Sequence, residues 1–129
     1  MMVLSKFKHL TALALLMIAL PACGSTITTD CEEAAQAQCD LCYTCAVNAP
    51  ADSNLNNITG AALCRAEGDK SACVDQLTRQ CEEQATGRQQ TNEEIQACTE
   101  SLESASCMKI HQAYALDKSY ATPACQRYF

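Results

Sequence analysis

Hydrophobic positions change rhythm at residue 23. From Leu10 to Leu20 they run almost unbroken as LTALALLMIAL, with Lys6, Lys8 and His9 just ahead of them. A basic stretch followed by a short apolar run is the architecture of an export signal. The run is too short for a permanent helix across a bilayer, which takes roughly 20 apolar residues. No second run like it follows.

Beyond it, apolar residues thin out and recur at helical spacings. Thr29 with Glu32 has the form of a capping box, and Asp30, Glu32 and Glu33 complement the positive end of a helix dipole, so a first helix is expected from Thr29 to about Asn48. The stretch from Ala49 to Ile58 (APADSNLNNI) breaks the pattern with Pro50, Asp52 and several asparagines, and reads as a loop. Within it, Asn57-Ile58-Thr59 has the form of a glycosylation acceptor and is taken as a chance match. Thr59 to Glu67 suits a short helix stopped by Gly68. Asp69 suits the cap of a helix from Lys70 to about Thr86, which Gly87 ends. Thr91 with Glu94 repeats the capping-box form and opens a helix in which Ile95, Cys98 and Leu102 recur at spacings of three and four. Cys98 and Cys107 stand on opposite sides of one straight helix. Either that helix is sandwiched between partners, or it breaks near Ser104 to Ser106. Met108 to Tyr120 looks helical and then irregular, and Thr122-Pro123-Ala124-Cys125 ties down a terminal tail. No run alternates as a strand would. The expected fold is all-α, a small disulfide-stapled bundle of about three to five helices after a cleaved signal peptide.

Composition explains what must hold such a bundle together. The 129 residues include 11 cysteines and no tryptophan, and past the apolar leader Phe129 is the one phenylalanine. That is a thin core for a domain of this size. In the first expected helix, Cys31, Cys39, Cys42 and Cys45 fall at about 0°, 80°, 20° and −40° around the axis, while Leu41 and Val47 fall at about −80° and 160°. Sulfur, more than aliphatic carbon, marks the inward stripe. An exported chain meets oxidising conditions, and five disulfides at about 2–4 kcal/mol each would rival the net stability of a small domain. The candidates are Cys31, Cys39, Cys42, Cys45, Cys64, Cys73, Cys81, Cys98, Cys107 and Cys125. Hairpin geometry favours Cys45 with Cys64 across the Asn-rich loop, Cys81 with Cys98 across the turn at Gly87 to Gln90, and Cys107 with Cys125 at the tail. Cys31, Cys39, Cys42 and Cys73 are left without assigned partners. Parity leaves one cysteine over, and Cys23 accounts for it.

Leu20-Pro21-Ala22-Cys23 resembles the lipobox of bacterial lipoprotein signal peptides. Leu20, Ala22 and Cys23 fit, and Pro21 departs from the usual small or aliphatic residue. The resemblance implies cleavage before Cys23, thioether lipidation of that cysteine, and N-acylation where the host has the enzyme. It divides the chain into a signal peptide (1–22), a lipidated N-terminus with a short tether (23–28) and a cysteine-rich helical domain (29–129). In many Gram-negative lipoproteins an aspartate after the cysteine marks retention at the inner membrane. Gly24 stands there instead, which implies the outer membrane. The alternative is an ordinary secretory signal and a secreted protein. Further along, the order Cys31, Cys45, Cys64, Cys81, Cys98, Cys107 and Pro123-Ala124-Cys125 resembles small cysteine-rich bacterial lipoproteins, which implies architecture and no particular activity.

Charge narrows the partners. Without Lys6 and Lys8 the exported part keeps seven Lys and Arg against 15 Asp and Glu, a formal charge of −8. That disfavours nucleic acid and anionic headgroups, both of which need a basic surface. The expected partner is the membrane, through the lipid, together with an unidentified protein.

The chemical motifs are few. Cys39, Cys42 and Cys45 form overlapping C-x-x-C units, which point either to structural disulfides or to a thiol–disulfide or metal-handling protein. They fall in the middle and second half of their helix, away from the N-terminus that would lower a thiol pKa. A zinc site would want a second pair or a histidine, and the exported part holds only His111. No nucleophile is placed against His111 by any motif, and the pairs Glu32-Glu33, Glu82-Glu83 and Glu93-Glu94 lack the oxygen spacing of a calcium loop. No cofactor and no resident metal are expected, and the expected role is a structural or binding module of the envelope, not an enzyme.

Overall fold

The structure, a computed structural model, describes residues 26–49, 55, 57–89, 91–118 and 120–129. The expected signal peptide and Cys23 lie outside those residues. Five helices follow in order: α1 (Ile27–Val47), α2 (Gly60–Leu63), α3 (Lys70–Ala85), α4 (Thr91–Glu103) and α5 (Cys107–Ala115). The fold is the expected small all-α bundle stapled by disulfides, and the described residues contain no strand.

Local chemistry sets most of the boundaries. Asp69 caps α3 as expected, its Oδ1 accepting from the Ala72 N–H at 2.9 Å, and Gly68 takes the left-handed φ of +83° that the turn before it requires. Thr59 caps α2, accepting from Ala62 N–H at 3.1 Å. Gly60 opens that helix because the backbone passes close to Tyr43, where a Cβ would stand 2.3 Å from the ring. The long helix expected after Thr91 does break at Ser104 to Ser106, which separates α4 from α5. The first cap differs from the expectation. Thr26, not Thr29, caps α1, and its Oγ1 accepts from Thr29 N–H at 3.1 Å. Both threonines have cap chemistry, but starting at Thr26 winds Ile27 and Thr28 into the helix, which shortens the tether expected to reach residue 28. Asp30 stays in the first turn, where it complements the dipole, whereas Glu32 and Glu33, expected there too, lie beyond it.

α1 is the axle. Moving eight residues along it, from Cys31 to Cys39, matches eight residues backwards along α3, from Cys81 to Cys73, so the two disulfides zip the helices antiparallel. On another side Asn92 Nδ2 donates to Asp30 Oδ2 at 2.7 Å, and Cys107 bonds Cys45. Both pairs are 62 residues apart in sequence, so the α4–α5 arm runs parallel to α1 in a constant register. The remaining α1 cysteine, Cys42, bonds Cys64 at the end of α2. Asp30 is 1% exposed, and its burial is tolerable because Asn92 and, at 3.4 Å, Gln96 donate to its carboxylate.

None of the three pairings favoured by hairpin geometry forms. Cys45 joins Cys107 rather than Cys64, Cys81 joins Cys31 rather than Cys98, and Cys107 is therefore not free for Cys125, which joins Cys98. Hairpin reasoning pairs sequence neighbours. Here every other helix packs on α1 instead, so the four sulfurs of α1 reach three separate segments: α3 twice, the end of α2 and the start of α5.

The tail is held by more than its disulfide. Tyr128 is 1% exposed, and its hydroxyl donates to Glu94 Oε2 at 2.6 Å, the same oxygen that Arg127 Nη1 approaches at 3.0 Å. Burial, and then the bond to Glu94, push the Tyr128 phenol from its ordinary 10 up to about 12. The Tyr128 bond, helped by Arg127, holds Glu94 below the usual carboxylate range. Ser101 and Thr122 hydroxyls add a hydrogen bond at 2.5 Å.

Two expectations follow. Because Cys39–Cys73 stays closed, replacing Cys31 and Cys81 together by alanine opens a loop of about 16 residues, eight on each helix, and should lower stability by about 3 kcal/mol in non-reducing urea unfolding. Between pH 10 and about 12 the unfolded chain loses a tyrosine proton that the folded chain keeps, so stability should fall as pH rises through that window. Tyr128→Phe should flatten that fall in urea midpoints measured across the range.

Candidate functional site

Cys39, Cys42 and Cys45, the residues with the strongest chemical motif, all lie fully buried on one stripe of α1. They bond outward to Cys73, Cys64 and Cys107, and none bonds another member of its own C-x-x-C unit. All ten candidate cysteines are paired, so this oxidised form presents none of them as a thiolate. Sequence spacing placed the three on one face, and the structure agrees, but their partners converge from different elements.

That convergence brings two disulfides together. The Sγ atoms of Cys39, Cys64 and Cys73 lie within 4.8 Å of one another, although Cys39 bonds Cys73 and Cys64 bonds Cys42. Cys39, Cys42 and Cys73 are sealed, whereas Cys64 is half-buried and borders a small cavity of about 120 Å³. Gln38, Arg65, Gln80 and Tyr120 also border it. Gln38 is 3% exposed; its Nε2 donates to the Tyr120 carbonyl at 3.4 Å, while its Oε1 has no hydrogen-bond partner. Arg65 is fixed at the mouth. Its guanidinium bonds Asp117 and the Lys118 carbonyl, each at 3.0 Å, and lies 5.6 Å from the centre of the Tyr114 ring. Burial raises the pKa of Tyr120.

His111 is held against α1, with Nε2 2.8 Å from the Cys45 carbonyl. Since the carbonyl only accepts, that nitrogen carries the proton. The bond ties α5 to the end of α1 beside the Cys45–Cys107 disulfide.

A second place was not foreseen. Between α1 and α4 runs an open groove of about 870 Å³, floored by Ala37, Leu41 and Leu102 and walled by Glu32, Glu33 and Asp40 on one side and Glu103 on the other. Asp40 is paired with Lys70 and accepts from Gln36 Nε2 at 3.0 Å. Burial pushes the Asp40 carboxyl up, and these hydrogen bonds outweigh it, so the group sits below its usual value. Among the described residues Glu32, Glu33 and Glu103 have no ion pair. A signal was present in the sequence. Thr29, Glu33, Gln36, Asp40 and Thr44 recur at spacings of three and four on the side of α1 opposite the sulfurs.

Comparison with known protein families, with curated proteins and with solved structures returns no match.

Proposed function

We propose that this chain is a lipid-anchored protein of the cell envelope, held to the outer membrane through Cys23, and that it works as a binding module. The observation that carries the binding role is the groove between α1 and α4, which combines an apolar floor with carboxylates left without cationic partners. A groove of that kind complements a basic, amphipathic segment of a partner protein, whose apolar side covers Leu41 and Leu102 while its cations meet Glu32, Glu33 and Glu103. The anchor fixes where this happens. α1 starts at Ile27, so only Gly24, Ser25 and Thr26 separate Cys23 from the helix, a span of at most about 14 Å from Cys23 to Ile27. The groove begins at Thr29, close to that end. The acidic surface repels anionic headgroups, so attachment rests on the acyl chains, which hold lastingly when two or three are present. No helix among the described residues is long and apolar enough to cross a membrane.

Two measurements test this reading. Cys23→Ala should abolish lipid labelling in cells and move the protein out of the membrane fraction; persistence there would sink the anchor. A synthetic basic amphipathic helical peptide should bind the purified protein more weakly as salt rises, and the combined changes Glu32→Gln, Glu33→Gln and Glu103→Gln should weaken it about tenfold, a loss of about 1.4 kcal/mol. Equal binding of a scrambled peptide of the same charge would sink the groove.

A further inference from the structure

We infer that Cys64 is the entry point of a thiol–disulfide exchange site, through which an external thiol reaches the buried C-x-x-C pair Cys39 and Cys42. This proposal does not depend on the anchor or the groove. It starts from two observations. Three sulfurs belonging to two different disulfides share one 4.8 Å neighbourhood, and of the four sulfurs concerned only that of Cys64 belongs to a residue with appreciable exposure. The small cavity beside Cys64 gives an approach, and the unpartnered Oε1 of Gln38 at its wall can accept a hydrogen bond from an entering polar group.

The chemistry balances with a low-molecular-weight monothiol as reductant. Its thiolate attacks Cys64 Sγ, the Cys42–Cys64 bond breaks, and Cys42 leaves as a thiolate that takes a proton from water. A second monothiol attacks the small-molecule sulfur of the mixed disulfide, which releases the oxidised small-molecule disulfide and frees the Cys64 thiolate. That thiolate then attacks Cys73 Sγ, forming Cys64–Cys73 and expelling Cys39, which is protonated in turn. Cys64 and Cys73 flank the short connection from α2 to α3, so the new bond closes a loop of nine residues, against 34 for the bond it replaces. In sum, two monothiols are oxidised to one disulfide, one protein disulfide is reduced, and one moves. What remains on α1 is the dithiol Cys39 and Cys42, three residues apart on one face. The motif that is silent in the fully oxidised protein thus becomes a redox pair after exchange.

The test treats the purified full-length protein with a limiting monothiol such as glutathione, stops the reaction by alkylation at intervals, and maps linkages after digestion with trypsin and an Asp-specific protease. The expected course is early alkylation of Cys42, then a Cys64–Cys73 linkage with alkylated Cys39 and Cys42, while Cys31–Cys81 and Cys98–Cys125 stay intact. In the double variant Cys42→Ser, Cys64→Ser, opening of Cys39–Cys73 should be about tenfold slower or more, because the intramolecular attacker is gone. The wild-type time course stands on its own if that variant folds poorly. Simultaneous opening of all five disulfides, first opening at a bond other than Cys42–Cys64, or a Cys39–Cys64 linkage in place of Cys64–Cys73 would overturn the proposal.

Discussion

A helix that carries four bonded cysteines along one stripe has little freedom to pack in any other register. Each disulfide holds its two Cα atoms within a narrow range, and for the four that start on α1 the separations are 5.6, 6.3, 5.7 and 5.1 Å. These constraints lie along 15 residues of one rigid rod, so they act together on everything around it. Small side chains make the close approach possible. Ala34 and Ala35 are fully buried between the sulfurs, and the largest sealed residues elsewhere are Ile95, Ile110 and Tyr128. In this fold covalent bonds and short side chains take the place that large aliphatics hold in an ordinary helical core.

Legibility in the sequence followed the range of the forces involved. Elements set by neighbouring residues were readable: the Asp69 cap, the stop at Gly87 and the outward position of Val47, which is 86% exposed, while the break near Ser104 was one of two alternatives that the spacing of Cys98 and Cys107 left open. The sulfur stripe was readable too, because helical geometry alone places it. Partner choice was not, since it depends on which helix lies beside which, and no pattern in the sequence says that α1 is central. The start of α1 was misplaced by three residues for a related reason. Thr26 and Thr29 have the same capping chemistry, and the choice is made by burying Asp30 against Asn92 and Gln96, more than sixty residues away. The acidic groove was hidden by a competing explanation. With the helix expected to start at Thr29, Glu32 and Glu33 fell in its first turn and the dipole accounted for them; in the structure they lie beyond that turn, and the position of α4 turns them into a wall.

The polar groups reinforce the same arrangement without being its source. The buried Asp30 and the Tyr128–Glu94–Arg127 group both tie α4 to its surroundings, one at the start of α1 and one at the tail. Lys70 joins the first turn of α3 to Asp40 in the middle of α1. Each is a fine adjustment, because the disulfides have already fixed which helices meet.

The bond between Cys31 and Cys81 also gives the molecule a mechanical character. Cys31 is the fifth residue of α1, and Cys81 is four residues from the end of α3. A pull delivered through the segment that precedes α1 can unravel little more than one helical turn before it meets a covalent link. From there the load passes into α3 and, through Cys39 and Cys73, returns to α1 farther along. Tension at that end is thus shared by α1 and α3 between the two bonds, and the eight-residue stretch of α1 from Cys31 to Cys39, which carries Glu32 and Glu33 of the groove wall, bears only part of it.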